Sequence, residues 1–523
     1  MNAKDMKVKL FDTTLRDGSQ SEGISFTVDD KVKIASALDN LGIHFIEGGW
    51  PFSNPKDIEF FRQVRKQKIK NSLITAFGST RHKDKKANRD ENLLAIVDVK
   101  PDCACIFGKT WDLHVRHALQ TTPEKNLEMI YDSVRFLKSR GLVVIYDAEH
   151  FFDGYNSNPE YAVKTLQAAA AGGADNITLC DTNGGTLPHQ VKNVFEDVRC
   201  KISVPLGIHA HNDSDCAVAN SLIAVQSGCE LVQGTMNGWG ERCGNANLSS
   251  IIANLKIKLG INCLSDAKLR MLTETSRYVS EVANVVPNNR QPYTGHSAFA
   301  HKGGIHVSAV ARESSTYEHV SPSLVGNKRR ILISELSGRA NVLLKSKELN
   351  IDFEKDAESA KKILQVVKNH ERNGYQYEGA EGSFEVLVKR ELGKSREFFK
   401  LVGFTVSVEK GAAGELMSQA VIKVIVSGRE ELTAAEGDGP VNALDNALRK
   451  ALEKFYPKLR NVHLSDFKVR IINPTDGTGA KVRVLIESTD GSDEWTTVGV
   501  SENIIEASWQ ALVDAIDYKL LKG

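Results

Sequence analysis

The chain has 523 residues, 41% of them apolar and 25% charged, with 67 basic against 66 acidic side chains and a formal net charge of +1. At roughly 150 residues per domain it divides into about two to four domains, and its composition excludes wholesale disorder. The even charge balance leaves no electrostatic footprint for nucleic acid or an anionic membrane.

No run supplies the ~18 uninterrupted apolar residues of a membrane span. The N-terminus lacks an apolar signal core. The eight cysteines fall between Cys103 and Cys263 with no CxxC pair, so reduced thiols and a cytoplasmic location are expected.

Up to about residue 275, short apolar or β-branched runs alternate with longer stretches of helical spacing. The strand-like runs are Val8–Asp12, His44–Gly48, Leu73–Phe77, Cys103–Phe107, Val143–Asp147, Asn176–Cys180, Leu206–His209 and Leu231–Gly234. Eight such units predict a (β/α)8 TIM barrel over residues 1–275. The rival, a doubly wound open sheet, would carry a Gly-rich phosphate turn after an early strand, and none is present.

Residues 276–380 are expected to form linker subdomains. VVPNNRQPY (Val285 to Tyr293) reads as a linker and leads to HKGGIH (His301 to His306). Phe353–His370 has the spacing of an amphipathic helix, closed by Asn373–Gly374.

Residues 381–523 contain an internal repeat. Val421–Val426, a turn and a helix from Pro440 are echoed by Val482–Ile486, a turn and a helix from Ser501, with Asn442 matching Asn503. A duplicated strand–strand–helix unit predicts a small α+β domain that regulates or dimerises.

Three polar motifs follow strand ends, the rim where a barrel does its chemistry. They are FDTTLRDGSQ with Arg16 and Asp17, His209-Ala-His211, and GWGERCGN ending at Asn245. Singly they read as a surface ion pair, two polar histidines and a turn. Together they say more. Strand 8 of a closed barrel lies beside strands 1 and 7, so Asp17, His209, His211 and Asn245 can converge. Residues i and i+2 of a strand share a face, which lets both imidazoles reach one ion. A carboxylate, two imidazoles and an amide oxygen suit a divalent cation. The oxygens allow Mg²⁺ or Mn²⁺, and the imidazoles also suit Zn²⁺. After strand 5, Asp147, Glu149 and His150 are each candidates for a general base. Phe77 and Phe107, at strand ends, either narrow a pocket or belong to the barrel core.

FDTTLRDGSQ, HAHND and GWGERCGN, in this order, resemble the signatures of the metallolyase barrels. That family holds the 2-isopropylmalate, homocitrate and citramalate synthases and hydroxymethylglutaryl-CoA lyase. VGNKRR and SGRAN, between 325 and 341, resemble the synthases' linker, and the tail resembles their regulatory domain, which the lyases lack. IEGGWPFSNPKD and YDAEHFFDGYNSNP resemble the citramalate subgroup.

The resemblance implies condensation of acetyl-CoA with pyruvate, followed by thioester hydrolysis, in a threonine-independent route to isoleucine. The alternatives are a larger 2-oxo acid as acceptor, or lyase chemistry on a hydroxyacyl-CoA. It implies Asp17, His209, His211 and Asn245 as metal ligands, and Arg16 as stabiliser of the developing oxyanion. Arg16, Asp147 and Thr182 would bind substrate, and Glu149 would be the base. His306 would polarise the thioester or activate water, with Tyr317 as a further catalytic group. Ser308 stands where some relatives carry Asp; either His301 substitutes or the Asp is dispensable. Finally, it implies a homodimer with feedback by isoleucine. Gly437–Pro440 and Gly499–Ser501, before helix starts, either receive the effector carboxylate or simply cap the helices.

Overall fold

The computed structural model describes residues 7–334, 341, 345, 357–412, 414–472, 477 and 479–522. Strands β1 (Lys9–Asp12), β2 (Phe45–Gly49), β3 (Leu73–Ser79), β4 (Cys103–Lys109), β5 (Val143–Glu149), β6 (Asn176–Asp181), β7 (Leu206–Ala210) and β8 (Leu231–Gly234) lie in chain order in one closed parallel sheet. β1 pairs with β2 through Phe11 and Phe45, and with β8 through Lys9 and Leu231. The fold is therefore a TIM barrel, and closure excludes the open sheet.

Alternation along the strands sorts their side chains into two cores. Leu10, Ile46, Ala104, Val144, Leu179 and Ile208 point outward and pack against the helices. Phe11, Phe45, Phe77, Cys105, Ile145 and Leu231 point inward and fill the barrel. Helix starts are fixed locally. Thr27, Asn54, Thr122 and Asn158 each accept a backbone N–H at a helix N-terminus, and Pro occupies the first turn after the last three.

The chain separates into two compact units. One runs to Phe299 and includes Val320–Arg329; the other holds Ala300–His319 and the residues from Arg330 onward. The stretch expected as a linker, Val285 to Tyr293, belongs to the first unit. Tyr293 is buried and donates to Asn254 Oδ1 at 2.8 Å. Its Pro and Asn content makes turns rather than a tether.

In the second unit β9 (Ala300–His301) pairs with β10 (Arg330–Ile331). The amphipathic helix runs Ala357–Arg372. Residues 353–356 of the expected helix, and 337–340 of SGRAN, lie outside the described residues. Two antiparallel sheets follow. One comprises β11 (Lys400–Lys410), β12 (Leu416–Val426) and β13 (Arg429–Gly437). The other comprises β14 (His463–Ile471), β15 (Val482–Thr489) and β16 (Glu494–Ser501). Each is followed by a helix, Pro440–Leu452 or Ile504–Leu521.

The repeat is thus three strands and a helix, one strand more than its pattern suggested. Both repeats share one core, in which Ile422, Val424, Leu444 and Leu448 meet Val484, Ile486 and Leu512. The last helix begins at Ile504 rather than Ser501, because the Asn503 side chain accepts the N–H groups of Ile505 and Glu506. Asn442 is not its counterpart: it lies inside its helix, where Gly439 is the cap.

Within this unit Arg390 bridges two acids, Asp514 at 2.9 Å and Asp517 at 2.7 Å. Burial raises the Asp514 carboxyl to about 6, against the opposing pull of Arg390 and Ser383. A carboxyl raised in the native state stabilises the fold at low pH and loses that contribution as pH rises through its native value. In thermal melts from pH 4 to pH 6, the Tm of Asp514→Asn is expected to gain on wild type as pH rises. Parallel profiles would contradict the assignment.

Candidate metal centre and active site

Asp17, His209 and His211 are all buried, and their ligand atoms lie within 4.8 Å of one another. Asp17 Oδ2 is 3.4 Å from His209 Nε2 and 4.0 Å from His211 Nε2. The two histidines occupy alternate positions at the end of β7, so their rings project together, 5.1 Å apart.

His209 is oriented from behind. Its Nδ1 meets Gln233 Oε1 at 2.9 Å, while Gln233 Nε2 donates to Asp147 Oδ1 at 2.8 Å. Since the amide N–H is committed to Asp147, its oxygen faces the imidazole. His209 therefore carries its proton on Nδ1 and presents a bare Nε2 to Asp17. Burial lowers the His209 pKa to about 4 and also lowers that of His211, so both rings are neutral at pH 7. Burial alone would raise Asp17, but the neighbouring groups, the Arg16 charge foremost, outweigh it and hold the carboxyl below its usual range.

Asn245 is placed by the loop after β8. Its N–H donates to Gly238 O at 3.0 Å, and its side-chain Nδ2 donates to Trp239 O at 3.1 Å. The loop closes this tightly because Gly244 has φ 89°, and a Cβ there would stand 2.0 Å from Gly238 O. Asn245 Oδ1 is buried with no hydrogen-bond partner. Asn245 lies in bridge contact with His211, and a carboxylate and two neutral imidazoles with an amide close by are a donor set that fits a divalent cation.

Arg16 stands beside this group. Its Nε donates to Glu47 Oε2 at 2.7 Å, its Nη1 lies 3.4 Å from Asp17 Oδ2, and its guanidinium sits 3.7 Å over the Phe77 ring. Glu47 is fully buried and also accepts from Thr13 Oγ1 at 2.5 Å. Burial raises its pKa, and Arg16 and Thr13 oppose the rise.

A pocket of about 220 Å³ joins Arg16, Asp17, His209 and His211 to Phe77, Phe107, Asp147, Glu149 and Thr182. Thr182 Oγ1 accepts the backbone N–H of His150 at 2.9 Å, which leaves its own hydrogen free to donate. Glu149 forms an ion pair with Lys109 on the neighbouring strand. Burial, then the Glu47 charge, raises Asp147 to about 7. His150 turns away and meets Asp153 at 3.2 Å.

His306 and Tyr317 belong to the second unit, where their rings stack 4.1 Å apart and both are exposed. His301 is buried there against Glu318, 3.1 Å away.

Glu47, Gln233 and Arg242 had drawn no role from sequence. Arg242 grips Asp213 in bidentate fashion at 2.7 and 2.9 Å and donates to Thr182 O at 2.8 Å. The signal for Glu47 and Gln233 was parity: counting in twos from Phe45 and Leu231 puts both on the inner face of the barrel.

Family models match along the chain in three pieces. HMGL-like covers residues 7–279, the homocitrate synthase post-HMGL domain-like model covers 293–374, and the LeuA allosteric (dimerisation) domain covers 378–520. The chain is 56% identical to an (R)-citramalate synthase of Geobacter sulfurreducens, over 99% of this chain and 98% of that protein. It is 53% identical to one from Aquifex aeolicus over the same shares. It is 31% identical to a 2-isopropylmalate synthase of Methanocaldococcus jannaschii, over 99% of this chain and 95% of the other.

Titration calorimetry with Mn²⁺ at pH 7 checks the metal reading. Asp17→Asn is expected to abolish binding. Gln233→Leu, which touches no ion, is expected to weaken it by ~10–100-fold by freeing His209. Wild-type affinity in both variants would contradict it.

Proposed function

We infer that the chain, which belongs to the HMGL-like family and within it to the (R)-citramalate synthases, joins the acetyl group of acetyl-CoA to pyruvate and releases citramalate and CoA. It is an acyltransferase that turns the acyl group into an alkyl group on transfer. The observation that carries the assignment of its residues is the convergence of Arg16 and the Asp17–His209–His211 triad on one pocket.

Asp17, His209 and His211, with Asn245 Oδ1, would hold the divalent cation, Mg²⁺, Mn²⁺ or Zn²⁺. When bound it supplies Lewis acidity to the keto group of pyruvate. The remaining work falls to the chain. Thr182 donates its free hydroxyl hydrogen to the pyruvate carboxylate, and Asp147 closes the same side of the pocket. Arg16, fixed by Glu47 and by the Phe77 face, donates to the oxygen on which negative charge develops as the keto carbon is attacked. Glu149 removes a proton from the acetyl methyl group, and that carbon then forms the new bond to the keto carbon. Lys109 pairs with Glu149 from the neighbouring strand. Water then attacks the thioester carbonyl and CoA leaves. By resemblance to the family, a histidine such as His306, with Tyr317 stacked on it, would polarise that carbonyl or activate the water.

Asp147 is the second candidate for the base, favoured by its pKa near 7.

The three family matches support a catalytic domain over 1–275, linker subdomains over 276–380 and a regulatory, dimerising domain over 381–523. We propose that this last domain makes the protein a homodimer and takes isoleucine as feedback effector, placing the enzyme in isoleucine biosynthesis in the cytoplasm.

Two measurements test this. Initial rates of CoA release with pyruvate, 2-oxobutyrate, 2-oxoisovalerate and 2-oxoglutarate are expected to be best with pyruvate. A good rate on 2-oxoisovalerate beside negligible turnover of pyruvate would overturn the acceptor. Glu149→Gln is expected to lower kcat by about 10²–10⁴-fold with little change in the KM for pyruvate. A larger loss in Asp147→Asn than in Glu149→Gln would move the base to Asp147.

A further inference from the structure

Among the described residues that line the candidate metal pocket, Phe77 and Phe107, with Cys180, supply its apolar wall. Their rings stack 5.4 Å apart. An alkyl group on a 2-oxo acid whose carboxylate and keto oxygens face the polar side would meet these rings. The position of the two rings therefore sets how long that alkyl group can be.

One residue contacts both rings from outside the pocket lining. Trp50, just after β2, stands edge-on to Phe77 at 5.6 Å and to Phe107 at 5.7 Å, with an interplanar angle of 86° in each case. Edge-to-face is one of the preferred arrangements of aromatic rings, so a single indole braces both rings.

Trp50 is itself fixed by polar groups. Its indole N–H donates to Asn92 Oδ1 at 2.7 Å, and Asn92 Nδ2 donates to Ser79 O, also at 2.7 Å, tying the indole to the end of β3. Its backbone N–H donates to Asp57 Oδ2 at 2.8 Å. Asp57 pairs with Lys31 at 2.5 Å, and Lys31 also donates to Gly48 O at 3.0 Å. Both partners are buried, an arrangement that carries a desolvation penalty and that the chemistry does not use. Its local effect is on the turn. The β2 register slips between Glu47 and Gly49. Gly49 has φ 143°, and a Cβ there would stand 2.2 Å from the Asp57 carboxyl, so this turn closes only around the ion pair.

We propose that Trp50 is a positioning residue for acceptor selection. Anchored by Asn92 and by the Lys31–Asp57 pair, it holds the Phe77–Phe107 wall where a methyl group fits and longer alkyl chains of 2-oxo acids do not. The proposal rests on the condensing reaction assigned above.

The test compares kcat/KM for 2-oxobutyrate with kcat/KM for pyruvate in wild type, Trp50→Leu, Trp50→Phe and Asn92→Ala. Mn²⁺ affinity is measured alongside. Trp50→Leu is expected to raise the 2-oxobutyrate-to-pyruvate ratio by ~10-fold or more, about one methylene's worth of discrimination, through KM and with Mn²⁺ affinity kept. Trp50→Phe, which retains an aromatic edge, is expected to restore part of the preference. Asn92→Ala, which removes only the indole's acceptor, is expected to shift the ratio the same way by less, and it carries the test if Trp50→Leu does not fold. A folded variant set in which both acceptors lose rate equally, leaving the ratio at its wild-type value, would reduce Trp50 to a structural role and overturn the proposal. Failure of the wild type itself on pyruvate would strike the condensing reaction instead, and is told apart by that reference measurement.

Discussion

The centre of this protein is a charge imbalance buried at the mouth of a barrel. Asp17 and Glu47 are taken out of water within reach of a single guanidinium, Arg16. The two imidazoles that crowd Asp17 are held neutral by their own burial. Ions left uncompensated in such a place cost several kcal/mol each. A divalent cation held, as proposed, by Asp17, His209 and His211 would offset the buried carboxylate charge. The same ion would supply the Lewis acidity that the proposed reaction needs, so one group would serve both the fold and the chemistry.

The rest of the site is arranged around that point by the twofold alternation of strands. Phe11, Glu47, Phe77, Phe107, Asp147, His209 and Gln233 all lie on inward positions. Deep inside, these positions are apolar and fill the barrel. Toward the rim they become polar and bear the chemistry. Gln233 shows how closely the two layers are joined, since one carboxamide links the Asp147 carboxyl to the metal-facing histidine. A rigid interior thereby sets the tautomer and direction of the His209 ring.

Much of this was readable from the chain alone, for a physical reason. Parallel strands buried on both faces are continuous apolar runs, and all eight stood out. The residues expected to gather at the mouth were bound by closure: once strand 8 neighbours strands 1 and 7, Asp17, His209, His211 and Asn245 have little choice. Other features left weaker traces. Glu47 and Gln233 are single polar residues in apolar strands, and only parity marks them. β11 and β14 escaped notice because KLVGFTVSVEK and HLSDFKVRI mix half-buried apolar residues with charges on an exposed sheet. The start of the last helix depended on one side-chain cap, Asn503. The role of Trp50 depends on ring geometry across three strands, which no local pattern encodes.

The most direct test of the central claim is anomalous diffraction at the manganese edge from crystals of the Mn²⁺-loaded protein. A single strong peak at bonding distance from Asp17, His209 Nε2 and His211 Nε2, with Asn245 Oδ1 turned toward it, is the predicted result. A peak elsewhere, with the carboxylate and the imidazoles still packed against one another, would contradict the account.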